Sequence, residues 1–220
     1  MDDFAQARTH MVDSQIHTAG VTFPGVLQAF ETVPREHFVP EHLRQIVYCD
    51  DNLPVGEGRF LLNPMVHAKM VQALAPSAQD IALDIGGGTG YSAAILSSLV
   101  MTVVAIEENA ACLELAAKMW SDVGICNIAG VQGAHANGAP GEAPFDVIFI
   151  NGALSHVPDG LKGQLVIGGR LAAIIRKPDM AGGQAVLIRR LSQNEFSPTV
   201  LFDAACPYLS GFEPEPVFSF

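Results

Sequence analysis

The sequence predicts an α/β fold in which a mostly parallel sheet carries helices on both faces. Two observations support this prediction: short apolar segments alternate with helical ones from about Pro64 onward, and 49% of the 220 residues are hydrophobic. Alternating strands and helices are typical of parallel sheets, because parallel strands are joined by helical crossovers. The length allows a sizeable core but not two full-sized domains, so we expect one compact unit.

Seven segments have the composition of strands. The clearest is Asp146–Ile150, whose Val-Ile-Phe-Ile run combines β-branched and aromatic side chains. The last two segments flank a polar turn and predict an antiparallel hairpin at the end of the sheet. The predicted strands are Ile81–Ile85, Thr102–Ile106, Ile128–Gln132, Asp146–Ile150, Arg170–Ile175, Ala185–Leu191 and Thr199–Asp203.

Helical spacing of apolar residues predicts four helices in the same part of the chain. Upstream, we predict a helix at Phe23–Val33 and a glycine-rich loop at Asp50–Arg59. We therefore divide the chain into an N-terminal helical extension, residues 1–60, and a ligand-binding domain, residues 61–220. The four helices are Met65–Leu74, Tyr91–Ser98, Asn109–Val123 and Gly160–Leu165.

Charge and cysteine content exclude several classes of protein. A net charge of −11 repels phosphate backbones, so we expect no nucleic-acid partner. Four widely spaced cysteines without a C-x-x-C pair argue against a metal or redox site and favour a cytoplasmic location. The uncharged run Ile85–Ile106 is long enough to span a bilayer, but it opens with glycines and contains two serines, so we predict no membrane segment.

The strongest signal for function is a glycine-rich loop between the first of these strands and the next helix. Its sequence is Asp84-Ile85-Gly86-Gly87-Gly88-Thr89-Gly90. Glycines let the backbone turn tightly and approach a ligand, and the following helix N-terminus adds partial positive charge. Glu107 ends the next strand, 23 positions after Asp84, where an acid can accept both hydroxyls of a ribose. The pattern predicts a nucleotide-like ligand.

Two nucleotide-binding patterns compete for this loop. Gly88–Ala93 matches the dinucleotide pattern G-x-G-x-x-A, but its first glycine lies three residues beyond the strand end. The alternative, D-x-G-x-G-x-G, resembles the first motif of class I S-adenosylmethionine-dependent methyltransferases, a Rossmann-like class whose sheet also ends in an antiparallel strand. We predict S-adenosyl-L-methionine as the cofactor. The residues predicted to hold it here are Asp84, Gly86, Gly87, Gly88, Gly90 and Glu107.

Five segments, in order along the chain, resemble the protein-L-isoaspartate O-methyltransferase family. They are Met11–Ile16, Val33–Glu41, Tyr48–Gly56, Ala143–Ile148 and Gln164–Leu171. The Val-Pro-Arg-Glu sequence in the second segment is the most specific. The resemblance implies methylation of the free carboxylate of isoaspartyl residues, the start of repair of damaged proteins. That carboxylate is ionised at neutral pH, so the transfer needs alignment rather than a strong base.

One stretch departs from the family pattern on the substrate side. The family has Gln-Thr-Ile-Ser after a glycine, where this chain has Arg59-Phe60-Leu61-Leu62 before Asn63 and Pro64. Phe60 and Leu62 replace the hydroxyls that contact substrate and cofactor, and neither side chain can donate a hydrogen bond. Arg59 could instead pair with a substrate carboxylate. The predicted substrate-side residues are Arg59, Leu62, Asn63 and His67.

Further cofactor contacts are predicted at the ends of the other parallel strands. The family usually has an acid after a glycine beyond the third strand, whereas here Gly133 is followed by Ala134. A backbone carbonyl or His135 could take over the contact to adenine. Asn151 follows the fourth strand in a segment expected to be a loop facing the ligand crevice. Glu108, Gly133, Ala134 and Asn151 therefore complete the predicted cofactor set.

Three hypotheses for function follow. The first is a methyltransferase acting on isoaspartyl proteins or peptides. The second keeps the cofactor but changes the acceptor to another carboxylate or a small-molecule hydroxyl, toward which His156 could act as a base. The third is a cofactor-binding scaffold without catalysis. The oligomeric state stays open.

Overall fold

A seven-stranded sheet forms the centre of the computed structural model, which describes residues 3–178, 180 and 182–214. The strand order is β5-β4-β3-β6-β7-β8-β9. The first five strands in this order are parallel, and β8 and β9 add on antiparallel. The predicted sheet and hairpin are confirmed. The strands are β3 Ile81–Ile85, β4 Thr102–Glu107, β5 Ile128–Gln132, β6 Phe145–Leu154, β7 Leu165–Ile175, β8 Gly183–Arg190 and β9 Phe196–Ala204.

Helices and short helical turns make up most of the remaining regular structure. A separate antiparallel hairpin, β1 Leu53–Gly56 and β2 Arg59–Leu61, precedes the sheet. Within the part of the chain that the structure describes, no helix is long and apolar enough to cross a membrane. The α-helices are α1 Asp3–Met11, α2 Pro24–Thr32, α3 Pro64–Leu74, α4 Tyr91–Ser97, α5 Ala110–Asp122 and α6 Asp159–Lys162.

Two hydrophobic clusters cover the two faces of the sheet. Successive side chains of a strand point to opposite faces, and in β6 Val147 and Phe149 enter one cluster while Ile148 and Ile150 enter the other. The first cluster also contains buried side chains of the N-terminal extension, such as Phe30. The extension therefore packs on one face of the sheet. The boundary at residue 60 stays a prediction, and the β1–β2 hairpin spans it.

Three local predictions were wrong. The segment Asp50–Arg59 is not simply a loop, because β1 and β2 pair within and just beyond it and bury Leu53 and Leu61. Residues Asn151–Ala153 continue β6 through a shift of register instead of forming a loop. The third error is the start of β7, which begins at Leu165 rather than Arg170 and passes through two glycines. In each case hydrogen bonding to a neighbouring strand outweighs the preference of the local glycines for loops.

A buried arginine joins the extension to the segment before α3. The side chain of Arg35 is fully buried. Its Nε donates to the carbonyl of Val47 at 2.9 Å, and its Nη2 donates to the carbonyl of Leu62 at 3.0 Å. The guanidinium carbon also lies 5.0 Å from the ring centre of Tyr91. Arg35 thus fixes the backbone of the predicted substrate-side segment to the core.

Replacing Arg35 by methionine should destabilise the protein strongly. The Arg35→Met variant leaves two buried carbonyls without donors, and we expect the free energy of unfolding to fall by about 2–4 kcal/mol. Urea unfolding followed by circular dichroism measures this change. The matched control is Arg44→Met at an exposed arginine of the extension, and equal losses in the two variants would contradict the anchoring role of Arg35.

Candidate active site

The carboxyl ends of three parallel strands bring the predicted polar residues to one edge of the sheet. Asp84 lies in β3, Glu107 ends β4 and Asn151 lies in β6. Because β3 pairs with β4 on one side and β6 on the other, the chain reverses its direction of strand addition here. Ligands of open α/β sheets bind at such reversal points. The topology therefore forms a candidate crevice at this edge.

Asp84 is buried at the base of this edge. Its Oδ1 accepts hydrogen bonds from Ser92 Oγ at 2.6 Å and from Asn151 Nδ2 at 2.8 Å. Its Oδ2 is buried without a hydrogen-bond partner. Burial raises the pKa of Asp84 from 3.8 to about 6, against the effect of these two donors. Asn151 also donates to the carbonyl of Ile85 at 3.0 Å, so it holds the acid in place.

The glycine loop lies closely against other parts of the chain. Gly86 and Gly88 both have left-handed backbones, with φ of 69° and 58°, which side chains rarely adopt. A Cβ at residue 88 would lie 2.8 Å from Cβ of Arg59. A Cβ at residue 86 would lie 2.6 Å from a methyl of Leu209. The loop therefore needs glycine for its backbone and for its contacts.

Glu107 forms a bidentate ion pair with Arg59. Arg59 Nη2 lies 2.7 Å from Oε1, and Nε lies 3.0 Å from Oε2. Both side chains are buried, with 5% of Arg59 and 4% of Glu107 exposed. Burial alone would raise the pKa of Glu107, but the adjacent imidazole of His135 and hydrogen bonds from Arg59 and the Asn109 backbone outweigh it and lower the pKa to about 2.

The predicted adenine side of the crevice is filled by a histidine. His135 is fully buried, and its Nε2 lies 3.3 Å from Glu107 Oε1. Its backbone N donates to Glu108 Oε1 at 3.1 Å. The neighbouring Gly133 donates its N–H to the Glu107 carbonyl at 3.1 Å, and Ala134 precedes the helical turn that contains His135. Glu108, Gly133 and Ala134 therefore come together as predicted, with His135 between the two acids.

The tail after β9 crosses the same edge, which sequence reasoning missed. The backbone N–H of Leu209 donates to the carbonyl of Ala153 in β6 at 3.0 Å, and Leu209 packs on Gly86 and Gly152. Ser210 Oγ donates to Glu108 Oε2 at 2.9 Å. This tail carries no ligand-binding motif, so its position follows only from tertiary packing. Ser92 and Trp120, which donates to the Gly90 carbonyl at 2.9 Å, were also absent from the predicted set.

The residues predicted on the substrate side separate into two groups. Arg59 lies at the crevice, whereas Leu62 is buried in the core. Asn63 caps α3: its Oδ1 accepts from the backbone of Met65 and Val66, and its Nδ2 donates to Asp50. His67 is buried and stacks edge-on against Phe30, with ring centres 5.0 Å apart. Burial lowers the pKa of His67 to about 3, so it is a neutral core histidine.

Comparison with known protein families decides the classification. The family model of protein-L-isoaspartate(D-aspartate) O-methyltransferase matches residues 6–202. The chain belongs to this family. It is 37% identical over 219 residues to protein-L-isoaspartate O-methyltransferase 1 of Rhodopseudomonas palustris, covering 97% of this chain and 89% of the relative. It is 40% identical over 185 residues to the protein of that name from Methylorubrum extorquens, covering 84% and 79%.

Solved structures show the same fold. One protein-L-isoaspartate O-methyltransferase matches 94% of this chain and 66% of its own, with a TM-score of 0.81 and 24% identity. A protein from Plasmodium falciparum, described as a putative enzyme of this family in complex with S-adenosyl-L-homocysteine, matches 92% and 98%, with a TM-score of 0.78 and 17% identity. At these identities the likeness establishes the fold. The predicted family, Rossmann-like fold, enzyme class and cofactor of the family are confirmed.

The raised pKa of Asp84 predicts an unusual dependence of stability on pH. The folded chain holds this proton more tightly than the unfolded chain, so its stabilising contribution is complete below about pH 4 and is lost as pH rises through about 6. Asp84→Asn removes this titration. We expect the free energy of unfolding of the variant, relative to wild type, to rise by on the order of 3 kcal/mol between about pH 4 and pH 7.5.

Urea unfolding at the two pH values checks this expectation. Asp13→Asn, at an exposed carboxylate of the extension, is the control. A difference between Asp84→Asn and wild type that does not change with pH would refute the raised pKa.

Proposed function

We propose that this protein transfers a methyl group from S-adenosyl-L-methionine to the free carboxylate of isoaspartyl residues in proteins. The observation that carries the proposal is the family match over residues 6–202, which includes both the crevice and the substrate-side segment. We place the reaction in the cytoplasm. The four cysteines are free, which agrees with a reducing compartment.

The residues at the crevice fit the cofactor. Asp84 Oδ2 is a buried acceptor without a partner, beside a loop whose left-handed glycines let a ligand approach the backbone. Glu107 at the end of β4 has the position of a ribose acceptor. When bound, the cofactor supplies an electrophilic methyl group on a sulfonium. The proposed binding set is Asp84, Gly86, Gly87, Gly88, Gly90, Glu107, Glu108, Gly133, Ala134 and Asn151.

The chain's own residues support alignment rather than proton transfer. A carboxylate acceptor is already ionised at neutral pH, so no side chain has to remove a proton. His67 is neutral and buried in the core, and His156 is exposed beyond the end of β6. The tasks left to the protein are to hold the two reactants in line and to exclude water. Buried Asp84 and Asn151 provide a rigid base for the first of these tasks.

A methyl-transfer assay tests the function directly. With labelled S-adenosyl-L-methionine, we expect transfer to an isoaspartyl peptide and none to the same peptide with a normal aspartyl residue. Transfer to neither peptide, by a folded chain that binds the cofactor, would contradict the proposed acceptor. Methylation of the hydroxyl of a small molecule, in place of a peptide carboxylate, would support the second hypothesis instead.

Binding of S-adenosyl-L-homocysteine tests the role of Glu107. The Glu107→Gln variant keeps the shape but loses the charge that strengthens hydrogen bonds from hydroxyls, so we expect a 10- to 100-fold weaker Kd, corresponding to about 1.5–3 kcal/mol. Isothermal titration calorimetry measures it. Glu114→Gln, at an exposed acid of α5, is the control. Unchanged affinity of Glu107→Gln would remove Glu107 from the binding set.

A further inference from the structure

The carboxylate that is suited to a ribose already has an internal partner. Arg59 takes both oxygens of Glu107, and the backbone N of Asn109 adds a bond to Oε1 at 3.1 Å. The pair is buried, so its charges are little screened by solvent. Ribose hydroxyls that bind both oxygens of this carboxylate therefore compete with the guanidinium for them. Cofactor binding and the position of Arg59 are therefore linked.

Arg59 has open space into which its head group can move. Its stem packs on Gly88, its Nη1 donates to the Glu57 carbonyl at 3.3 Å, and the residue lines a cavity of about 370 Å³. Glu57, Glu108 and Glu213 also line this cavity, and Arg59 is the one Lys or Arg among the described lining residues, so binding of an acceptor carboxylate there depends on Arg59. Arg59 also belongs to the residues that the sequence predicts on the substrate side. A freed guanidinium would thus face the side on which the acceptor is expected.

The same segment offers no other free donor for an acceptor carboxylate. Phe60 and Leu62 have no polar atoms in their side chains. Asn63 uses its oxygen to cap α3 and its nitrogen to bind Asp50. A guanidinium, in contrast, binds a carboxylate through two parallel hydrogen bonds. It can therefore hold the acceptor carboxylate in a segment that has no hydroxyl side chains.

We propose that Arg59 is a displaceable partner of Glu107, which the cofactor ribose replaces, and that the released guanidinium then binds the carboxylate of the methyl acceptor. This inference rests on the proposed function. It makes Arg59 a specificity residue for the acceptor and requires cofactor and acceptor to strengthen each other's binding. The acceptor carboxylate then replaces Glu107 as the ion-pair partner of Arg59.

The acids that line this cavity compete for the freed guanidinium, and Glu108 already lies within ion-pair distance of it. Its Oε2 lies 3.9 Å from Arg59 Nη2. However, that oxygen already accepts from Ser210 Oγ, and Oε1 accepts from the backbone of His135. We therefore assign the guanidinium to the acceptor, and the experiment below distinguishes the two destinations.

Calorimetric binding of S-adenosyl-L-homocysteine to the full chain tests the displacement. We expect Arg59→Gln to bind it about tenfold more tightly than wild type, because the internal competitor is gone, and Arg59→Lys to be intermediate. Arg189→Gln, at an exposed arginine of β8, should match wild type. Arg59→Lys retains a cation beside Glu107, so it keeps the test available if Arg59→Gln does not fold. Equal or weaker binding by the Arg59 variants would overturn the proposal.

The second measurement tests whether the acceptor carboxylate binds the released guanidinium. Saturating isoaspartyl peptide should strengthen S-adenosyl-L-homocysteine binding to wild type several-fold and leave binding to Arg59→Gln unchanged, and the methyl-esterified peptide should have no effect on either. If the peptide changes S-adenosyl-L-homocysteine binding to wild type and to Arg59→Gln by the same factor, the acceptor does not bind Arg59. The guanidinium of wild type then goes to Glu108 or another group, and the proposal is wrong. If neither wild type nor any variant binds S-adenosyl-L-homocysteine, the proposed function itself fails.

Discussion

The buried carboxylate of Asp84 is the constraint on which the rest of the site depends. A charged group at this depth is costly unless donors surround it, and among the described residues only the side chains of Ser92 and Asn151 donate to it. Ser92 comes from α4 and Asn151 from the middle of β6, so both elements must reach the end of β3 in register. A Cβ at residue 87 would lie 2.4 Å from Asp84 Oδ2, which requires glycine beside the acid. Asp84, the glycine loop and the continuation of β6 therefore depend on one another for their positions.

The two acids at this edge have opposite environments. In the part of the chain that the structure describes, Asp84 forms no ion pair with a cation, and burial dominates its pKa. Glu107 has Arg59, and it stays ionised although it is buried as well. The site therefore has one acid whose charge depends on pH near neutrality and one whose charge is fixed. A ligand that replaces Arg59 has to supply hydrogen-bond donors in its place to keep the buried Glu107 ionised, and ribose hydroxyls are such donors.

Local sequence patterns predicted the parallel strands, the glycine loop and the acids that follow them, because these features depend on spacing within a few residues. They did not predict contacts between distant segments. Arg59 and Glu107 are 48 residues apart, and nothing near either one indicates that they form a pair. The tail residues Leu209 and Ser210 follow β9 in the chain and reach the crevice through contacts with Gly86 and Glu108. Asn151 was expected at the site, but in a loop, because pairing across β6 and β7 is not visible in its own segment.

The Val-Pro-Arg-Glu segment, the most specific part of the family resemblance, has a structural role. Within Val-Pro-Arg-Glu, Arg35 binds the carbonyl of Leu62, and Glu36 pairs with Arg8 of α1 at 2.9 Å. Two residues further on, the carbonyl of Phe38 accepts from Thr89 Oγ1 in the glycine loop at 2.6 Å. The extension therefore holds both the glycine loop and the predicted substrate-side segment through one short stretch, residues 35–38. Arg59 pairs with Gly56 in the β1–β2 hairpin and packs on Gly88, so its backbone is held by both contacts while its side chain can change partners.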